Sequence, residues 1–466
     1  MSRRPPVLVP ADSEEASAAR PVRLIPADTA LDGRTAAWAS ANGFKGQKGR
    51  LLLCPDEEGG IAEALFGVGK SFEPMMLRAL ADRLPGGVWR LEGVADDQAE
   101  LAALAFSLGS YAFDRYTTGD TAPEPAPRLL VPDGVDVGRV LDLARSCDLV
   151  REMVDTPAAD MGPLQIETIA REIAEESGAT ISVITGEALL EANYPAVHAV
   201  GRAAVPDRAP RMIEMHWNAD RADLPLLALV GKGVVFDTGG LNLKTGAGMR
   251  NMKKDMGGAA HALGLARSVM RAGLPVRLVV LVPAVENAVS GDAFRPGDIL
   301  SSRKGLSIEI GNTDAEGRLI LADALARAGE LDPDLTLDFA TLTGAARVAL
   351  GPDLPPLYTD DEALAAELLA ASARVHDPLW RMPLWAPYAD ALDSDIADLR
   401  NDSAAWAQAG SVTAALFLKN FAPRTGAWAH LDIFAWNPRG RSGWPQGGEV
   451  QALRAAFEML KTRYPG

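Results

Sequence analysis

The stretch LLALVGKGVVFDTGGLNLK, residues 226–244, decides the architecture of this chain. An apolar run carries a single lysine, Lys232, reaches Asp237, and turns at Gly239 and Gly240 toward Lys244. Apolar runs without strict alternation read as strands buried on both faces. A lysine inside such a run is unusual, because lysine is almost never buried without a partner and this run offers none nearby. A lysine snorkelling from a strand end is the plain alternative.

Working outward, similar runs recur at TISVITG (180–186), RMIEMHW (211–217), PVRLVVLVPAV (275–285), LSIEI (306–310) and LTLDFATLTG (335–344). Helical patterns lie between several of them, as in AAHALGLARSVMRAG (259–273) and RLILADALARAGEL (318–331). Strands alternating with helices imply an α/β fold whose mixed, mostly parallel sheet is flanked by helices. Ligands in such folds sit beyond the carboxyl ends of strands. Upstream, RLLLC (50–54) and GVWRLEGV (87–94) read as strands, and EPMMLRALADRL (73–84) and QAELAALAFSLGSYAFDRY (98–116) as helices. The expected organisation is a loose arm over residues 1–20, a small α/β domain over 21–136, a linking helix over 137–154 and a larger domain over 155–466. The Pro-rich stretch at 121–134 precedes the linking helix.

Composition narrows the function classes. A chain of 466 residues exceeds one ordinary domain. With 62 acidic against 46 basic side chains the formal charge is −16, which disfavours nucleic acid and anionic membranes as partners. Solubility alone also accounts for an acidic surface. Cys54 and Cys147 match no zinc-ligand spacing, and so few cysteines suit a reducing compartment. No secretory signal or membrane-length apolar stretch is apparent, so a cytoplasmic protein is expected.

Three segments at strand ends concentrate ionisable residues: 229–244 with Lys232, Asp237 and Lys244; NMKKDMGGAAHALG (251–264) with Asp255; and IEIGNTDAEGRLILADAL (308–325) with Asp314, Glu316 and Arg318. Taken singly, the second and third also read as helix caps with an acidic first turn. The five histidines are scattered without H-E-x-x-H spacing, and no G-x-S-x-G elbow is present.

Together these segments resemble the leucyl aminopeptidase family of metallopeptidases. NTDAEGRL (312–319) matches that family's octapeptide signature, and VGKGVVFDTGG (230–240), KKDMGGAA (253–260) and ATLTGA (340–345) match other blocks in order. VDTPAADMGP (154–163), ENAVSGDAFRPGDIL (286–300) and AHLDIFAW (429–436) extend the likeness over roughly the last two-thirds of the chain. Thr245 stands where many members have proline, and QAGSVTAALF (408–417) departs from a Gly-Gly pattern at the pocket rim.

The resemblance implies two divalent ions, zinc or manganese with magnesium or cobalt as further candidates. One would be held by Lys232, Asp237, Asp255 and Glu316, the other by Asp237, Asp314 and Glu316 with the Asp314 carbonyl. It further implies a bridging hydroxide as nucleophile, Lys244 at the oxyanion, and Arg318 holding a bicarbonate that shuttles the proton. Met252, Thr341 and Gly344 would line the first side chain's pocket, with the Leu342 backbone positioning the peptide. Short peptides as substrates and a homohexamer are implied as well.

The chemistry is coherent. Four carboxylates in one site repel one another unless counter-charged, and two dications neutralise them. Lysine ligates only as the neutral amine, a form that a nearby dication favours. A phosphoesterase or amidase using the same acidic ligands, and a binding or regulatory protein, are the competing classes.

Overall fold

The computed structural model describes residues 7–118 and 126–466, divided into two compact units. The smaller holds residues up to Asp148 with Arg439–Gln446, and the larger holds Leu149–Pro438 with Gly447–Gly466. The division falls inside the helix Val137–Asp155.

Among the described residues the smaller unit has six strands: β1 (Leu8–Val9), β2 (Arg20–Pro26), β3 (Leu51–Pro55), β4 (Ile61–Gly69), β5 (Gly87–Glu92) and β6 (Pro127–Leu130). Their order is β1-β6-β5-β2-β4-β3, parallel except for the β3–β4 pair. The loose arm expected over 1–20 and the Pro-rich stretch at 121–134 fall partly outside the described residues. From Leu8 onward, however, the chain is structured: β1 pairs with β6, and Ser13 caps a short 3-10 turn at Glu14–Ala18. The helix expected over 73–84 is instead a 3-10 segment, Pro74–Leu80, with all seven residues buried. A segment enclosed on every side is shaped by packing rather than by helix propensity. The helix expected over 98–116 ends at Gly109, where a Cβ would stand 2.0 Å from the Arg78 carbonyl oxygen.

The larger unit carries nine strands of one sheet: β7 (Thr180–Thr185), β8 (Arg211–Trp217), β9 (Leu226–Gly231), β10 (Gly233–Asp237), β11 (Arg277–Asn287), and four further strands given below. Between them in sequence, β12 (Ile299–Ser301) and β13 (Ser307–Glu309) leave the sheet. Then come β14 (Leu335–Ala340), β15 (Pro356–Tyr358), β16 (Trp380–Arg381), the short β17 (Leu399–Arg400) and β18 (Ala427–Asp432). The order is β16-β15-β18-β14-β9-β11-β8-β7, with β10 also on β11. Strands β18, β14, β9 and β11 run parallel, and β8 and β7 continue antiparallel at one edge. The mixed, mostly parallel sheet flanked by helices is therefore as expected.

Two details differ from the sequence reading. The run at 226–236 is two strands, not one. Lys232 sits at the break, its N–H donating to the Phe339 carbonyl and its own carbonyl accepting from Ala259, while β10 departs along β11. LSIEI joins β12 and β17 in a separate three-stranded sheet rather than the main one.

Both faces of the central strands are covered. The helix Gly257–Arg271 has every residue from Gly257 to Met270 buried, and the helix Gly317–Glu330 is nearly as enclosed. Close approach needs glycine at Gly258, where a Cβ would meet the Phe339 oxygen at 2.1 Å and the Lys232 nitrogen at 2.7 Å. The central parallel strands therefore end together, with β9 leading into Lys232, β11 ending at Asn287, β14 leading into Thr341 and β18 ending at Asp432.

Candidate metal centre

At those carboxyl ends lies an open cavity of about 600 Å3. Its walls include Lys232, Asp237, Lys244, Met252, Asp255, Asp314, Arg318, Thr341, Leu342 and Gly344. Glu316 lies directly beneath, with its Oε1 3.0 Å from Lys232 Nζ. All the residues singled out from sequence thus meet at one place.

The acidic residues are held there by distinct local devices. Asp237 ends β10, and its Oδ1 accepts from Gly239 N at 2.9 Å and Asn287 Nδ2 at 2.8 Å. Asp255 closes a 3-10 turn before the long helix, and Thr341 Oγ1 donates to its Oδ1 at 2.8 Å. Glu316 occupies the N-cap position of the helix Gly317–Glu330 without a side-chain capping bond. It faces the cluster instead of the helix end. Asp314 sits in a turn clamped by Asn312 Oδ1, which accepts the Asp314 N–H at 2.8 Å.

Lys232 answers the question its burial raised. Its Nζ lies 2.7 Å from Asp255 Oδ2 and 3.0 Å from Glu316 Oε1, and donates to the Thr341 carbonyl at 3.1 Å. Lys244 pairs with Asp237 Oδ2 at 2.8 Å and with Asp314. Burial alone would lower both lysine pKa values, but the surrounding carboxylates hold them above the ordinary lysine range. Burial and the neighbouring Asp237 push Glu316 up to about 8 against the opposing Lys232. Asp314 rises to about 6, through burial and then Asp237. Burial would raise Asp255 too, but Lys232 and Lys254 hold it below its usual value.

The cluster fits a cation. Ligand oxygens of Asp237, Asp255 and Glu316 all lie within 4.8 Å of one another, and all three residues are buried. Neither oxygen of Glu316 accepts a hydrogen bond, and the nearby Lys232 ammonium is poorly directed for one. A buried carboxylate without donors is costly unless a positive ion sits beside it. Hard carboxylate oxygens with one amine form a donor set suited to zinc, manganese, magnesium or cobalt.

Arg318 lines the cavity but stands apart from the acidic cluster. Its Nη1 donates to the Asn401 carbonyl at 2.6 Å, and its buried Nε has no acceptor. Asn401 also fastens the signature turn, since its Oδ1 accepts from Gly311 N at 2.9 Å and its Nδ2 donates to Asn312 O at 2.7 Å. Asp432 performs a similar service for the pocket wall. It accepts from Leu342 N at 3.0 Å, Thr343 N at 3.1 Å, Thr343 Oγ1 at 2.7 Å and Ser411 Oγ at 3.1 Å. Asn287, Asn401 and Asp432 were not picked out from sequence. Asn287 and Asp432 lie inside matched blocks, whereas Asn401 carries no local signal.

A family model described as the cytosol aminopeptidase family, catalytic domain, matches residues 148–455. The chain belongs to this family. A second model, the M17 aminopeptidase N-terminal domain, matches residues 25–132. A probable cytosol aminopeptidase of Syntrophotalea carbinolica is 36% identical over 472 residues, covering 93% of each chain. The crystal structure of cytosol aminopeptidase from Coxiella burnetii superposes with a TM-score of 0.91 at 43% identity, covering 98% of this chain and 99% of that one. A bottromycin maturation enzyme in complex with manganese gives 0.86 at 33% identity, over 96% of this chain and 100% of that one. As a member of the cytosol aminopeptidase family the chain is a hydrolase of the exopeptidase class, which displaces the phosphoesterase alternative. Among the described residues no helix is long and apolar enough to cross a membrane.

Proposed function

We propose that this chain removes the N-terminal residue, leucine-like or broader, from short peptides at the Lys232–Asp237–Asp255–Asp314–Glu316 cluster. The observation that carries the reading is Glu316, a fully buried carboxylate that accepts no hydrogen bond and lies against two other buried carboxylates. Lys232, Asp237, Asp255 and Glu316 would hold one divalent ion, and Asp237, Glu316 and Asp314 with its backbone carbonyl the other. When bound, such ions receive the substrate's amino group, polarise the scissile carbonyl and lower the pKa of a water.

The chain's own groups do the rest. Lys232 would hold such an ion as the neutral amine, because an ammonium has no lone pair and the adjacent carboxylates would then find their positive charge in the ion. Lys244, a fixed ammonium at the rim, stabilises developing negative charge on the carbonyl oxygen. Arg318 offers a planar guanidinium whose Nε lacks an acceptor, and this suits a bicarbonate-type anion that relays the proton. Met252, Thr341 and Gly344 contact the first side chain, and the Leu342 backbone, fixed by Asp432, aligns the peptide.

Residues 155–466 are proposed as the catalytic domain, 137–154 as the linking helix, a homohexamer as the working assembly and the cytoplasm as its location. The test is metal analysis coupled to a panel of aminoacyl p-nitroanilides. Metal-stripped protein should be inactive and manganese should restore turnover, while Asp255→Asn should lose both bound metal and activity. Metal-replete protein inactive on every member of the panel refutes the reading. A light-scattering mass near the 49.2 kDa monomer refutes the hexamer.

A further inference from the structure

Arg347 lines the same cavity and is left unused by this chemistry. Arg347 lies in the helix Gly344–Leu350, one turn beyond the Gly344 that would contact the first side chain. Its guanidinium carbon stands 4.3 Å from the centre of the Phe434 ring, and a Cβ on Gly344 would lie 3.6 Å from Arg347 Nη2. Lys254 Nζ approaches the same ring at 5.4 Å, and Arg347, Lys254, Phe434, Thr341 and Met252 all line one cavity. Among the described residues the Arg347 guanidinium makes no hydrogen bond or ion pair.

The two carboxylates whose field it feels are already engaged. Asp432 accepts from two backbone N–H groups and two hydroxyls, and Asp255 is taken by Thr341, Lys232 and Lys254. An arginine stacked on an aromatic ring keeps its outer fork free and in a fixed plane, which is the geometry that binds a carboxylate bidentately.

We propose that Arg347 makes this cavity select peptides whose first residue is acidic, glutamate above all. The inference rests on the aminopeptidase reading and names the substrate class of that site. A charge-assisted pair of this kind discriminates by about 10- to 100-fold.

The experiment compares kcat/KM for glutamyl-, leucyl- and lysyl-p-nitroanilide in metal-loaded wild type, Arg347→Ala and Arg347→Glu. These substrates lack a peptide carboxyl terminus, so any acidic preference belongs to the side chain. Wild type should cleave the glutamyl substrate at least as well as the leucyl one. The glutamyl-to-leucyl ratio should fall about 10- to 100-fold in Arg347→Ala, and Arg347→Glu should favour lysyl over glutamyl. Ratios cancel any shared loss of folded or active enzyme. A wild type that prefers leucyl more than tenfold, or a ratio unmoved by Arg347→Ala, overturns the proposal. If no p-nitroanilide is cleaved, the aminopeptidase reading fails by itself, and calorimetric titration with free L-glutamate and L-leucine decides the pocket. Tighter glutamate binding that disappears in Arg347→Ala upholds the selectivity, and equal or weaker binding overturns it.

Discussion

Gly317 opens the helix after Glu316, and a methyl group there would enter space held by Lys232. An added Cβ would stand 2.5 Å from Lys232 Cε, 2.7 Å from Nζ and 2.8 Å from Cδ. Ordinary carbon contacts begin near 3.5 Å, so the lysine tip must withdraw by roughly 0.7–1 Å. That movement is local. The atoms in the way belong to a flexible side chain, and alanine suits a helix better than glycine by about 1 kcal/mol, so the unfolding midpoint of Gly317→Ala should change little. The site should respond differently. Lys232 Nζ sits 2.7 Å from Asp255 and 3.0 Å from Glu316, and a shift near 1 Å carries it out of range of at least one of them. Misplacement on that scale costs about 100-fold in turnover. The assay is kcat/KM on leucyl-p-nitroanilide together with metal stoichiometry and urea unfolding on the same preparation. Wild-type metal content and turnover in a folded Gly317→Ala protein would refute the assignment of Lys232 to the centre.

Gly258→Ala is expected to fail the other way, because its Cβ would meet backbone, at 2.1 Å from the Phe339 oxygen and 2.7 Å from the Lys232 nitrogen. The buried helix must retreat from the sheet at a cost of about 1–3 kcal/mol, read as a lower urea midpoint, whereas Gly291→Ala, with nothing within 4 Å, serves as the unaffected control. Arg318→Ala should lower turnover severalfold while leaving metal content close to wild type, and an apo variant would contradict its separation from the ligands. His261 adds a pH dependence to stability. Burial lowers its pKa to about 4, and its neutral ring is doubly used: Nδ1–H donates to Gly257 O at 2.6 Å, and Nε2 accepts from Gln451 N at 3.0 Å. Because the folded pKa lies below the unfolded one, the neutral ring's contribution is complete above about pH 6.5 and is lost as pH falls toward 4, by about 3 kcal/mol in total. Urea midpoints between pH 7 and 4.5 should fall less steeply in His261→Gln, and equal slopes would disprove the assignment.

Much of this protein was legible locally. The apolar runs at 211–217, 275–285 and 335–344 became β8, β11 and β14, because a strand covered on both faces needs such a run, and 180–186 became the partly exposed edge strand β7. The acidic segments mark strand ends, where their side chains reach the open cavity. The reading failed where burial, not pattern, controlled the backbone. Pro74–Leu80 is a 3-10 segment despite its helical periodicity, and the run at 226–236 breaks at Lys232. Asn401 had no signature, since its role is to bind Gly311 and Asn312 from far along the chain.

The sequence by itself determined the α/β class, through apolar periodicity, and carried the motifs by which the chain resembles its family, since both are local properties. Only the tertiary structure decided that Lys232 finds its partners in Asp255 and Glu316, that Asp432 fastens the 342–343 wall, and that Arg347 reaches the cavity over Phe434. Those meetings depend on β9 lying between β11 and β14, and on glycines that let a helix touch the sheet. Strand order and helix approach are long-range choices, fixed by how the whole core packs.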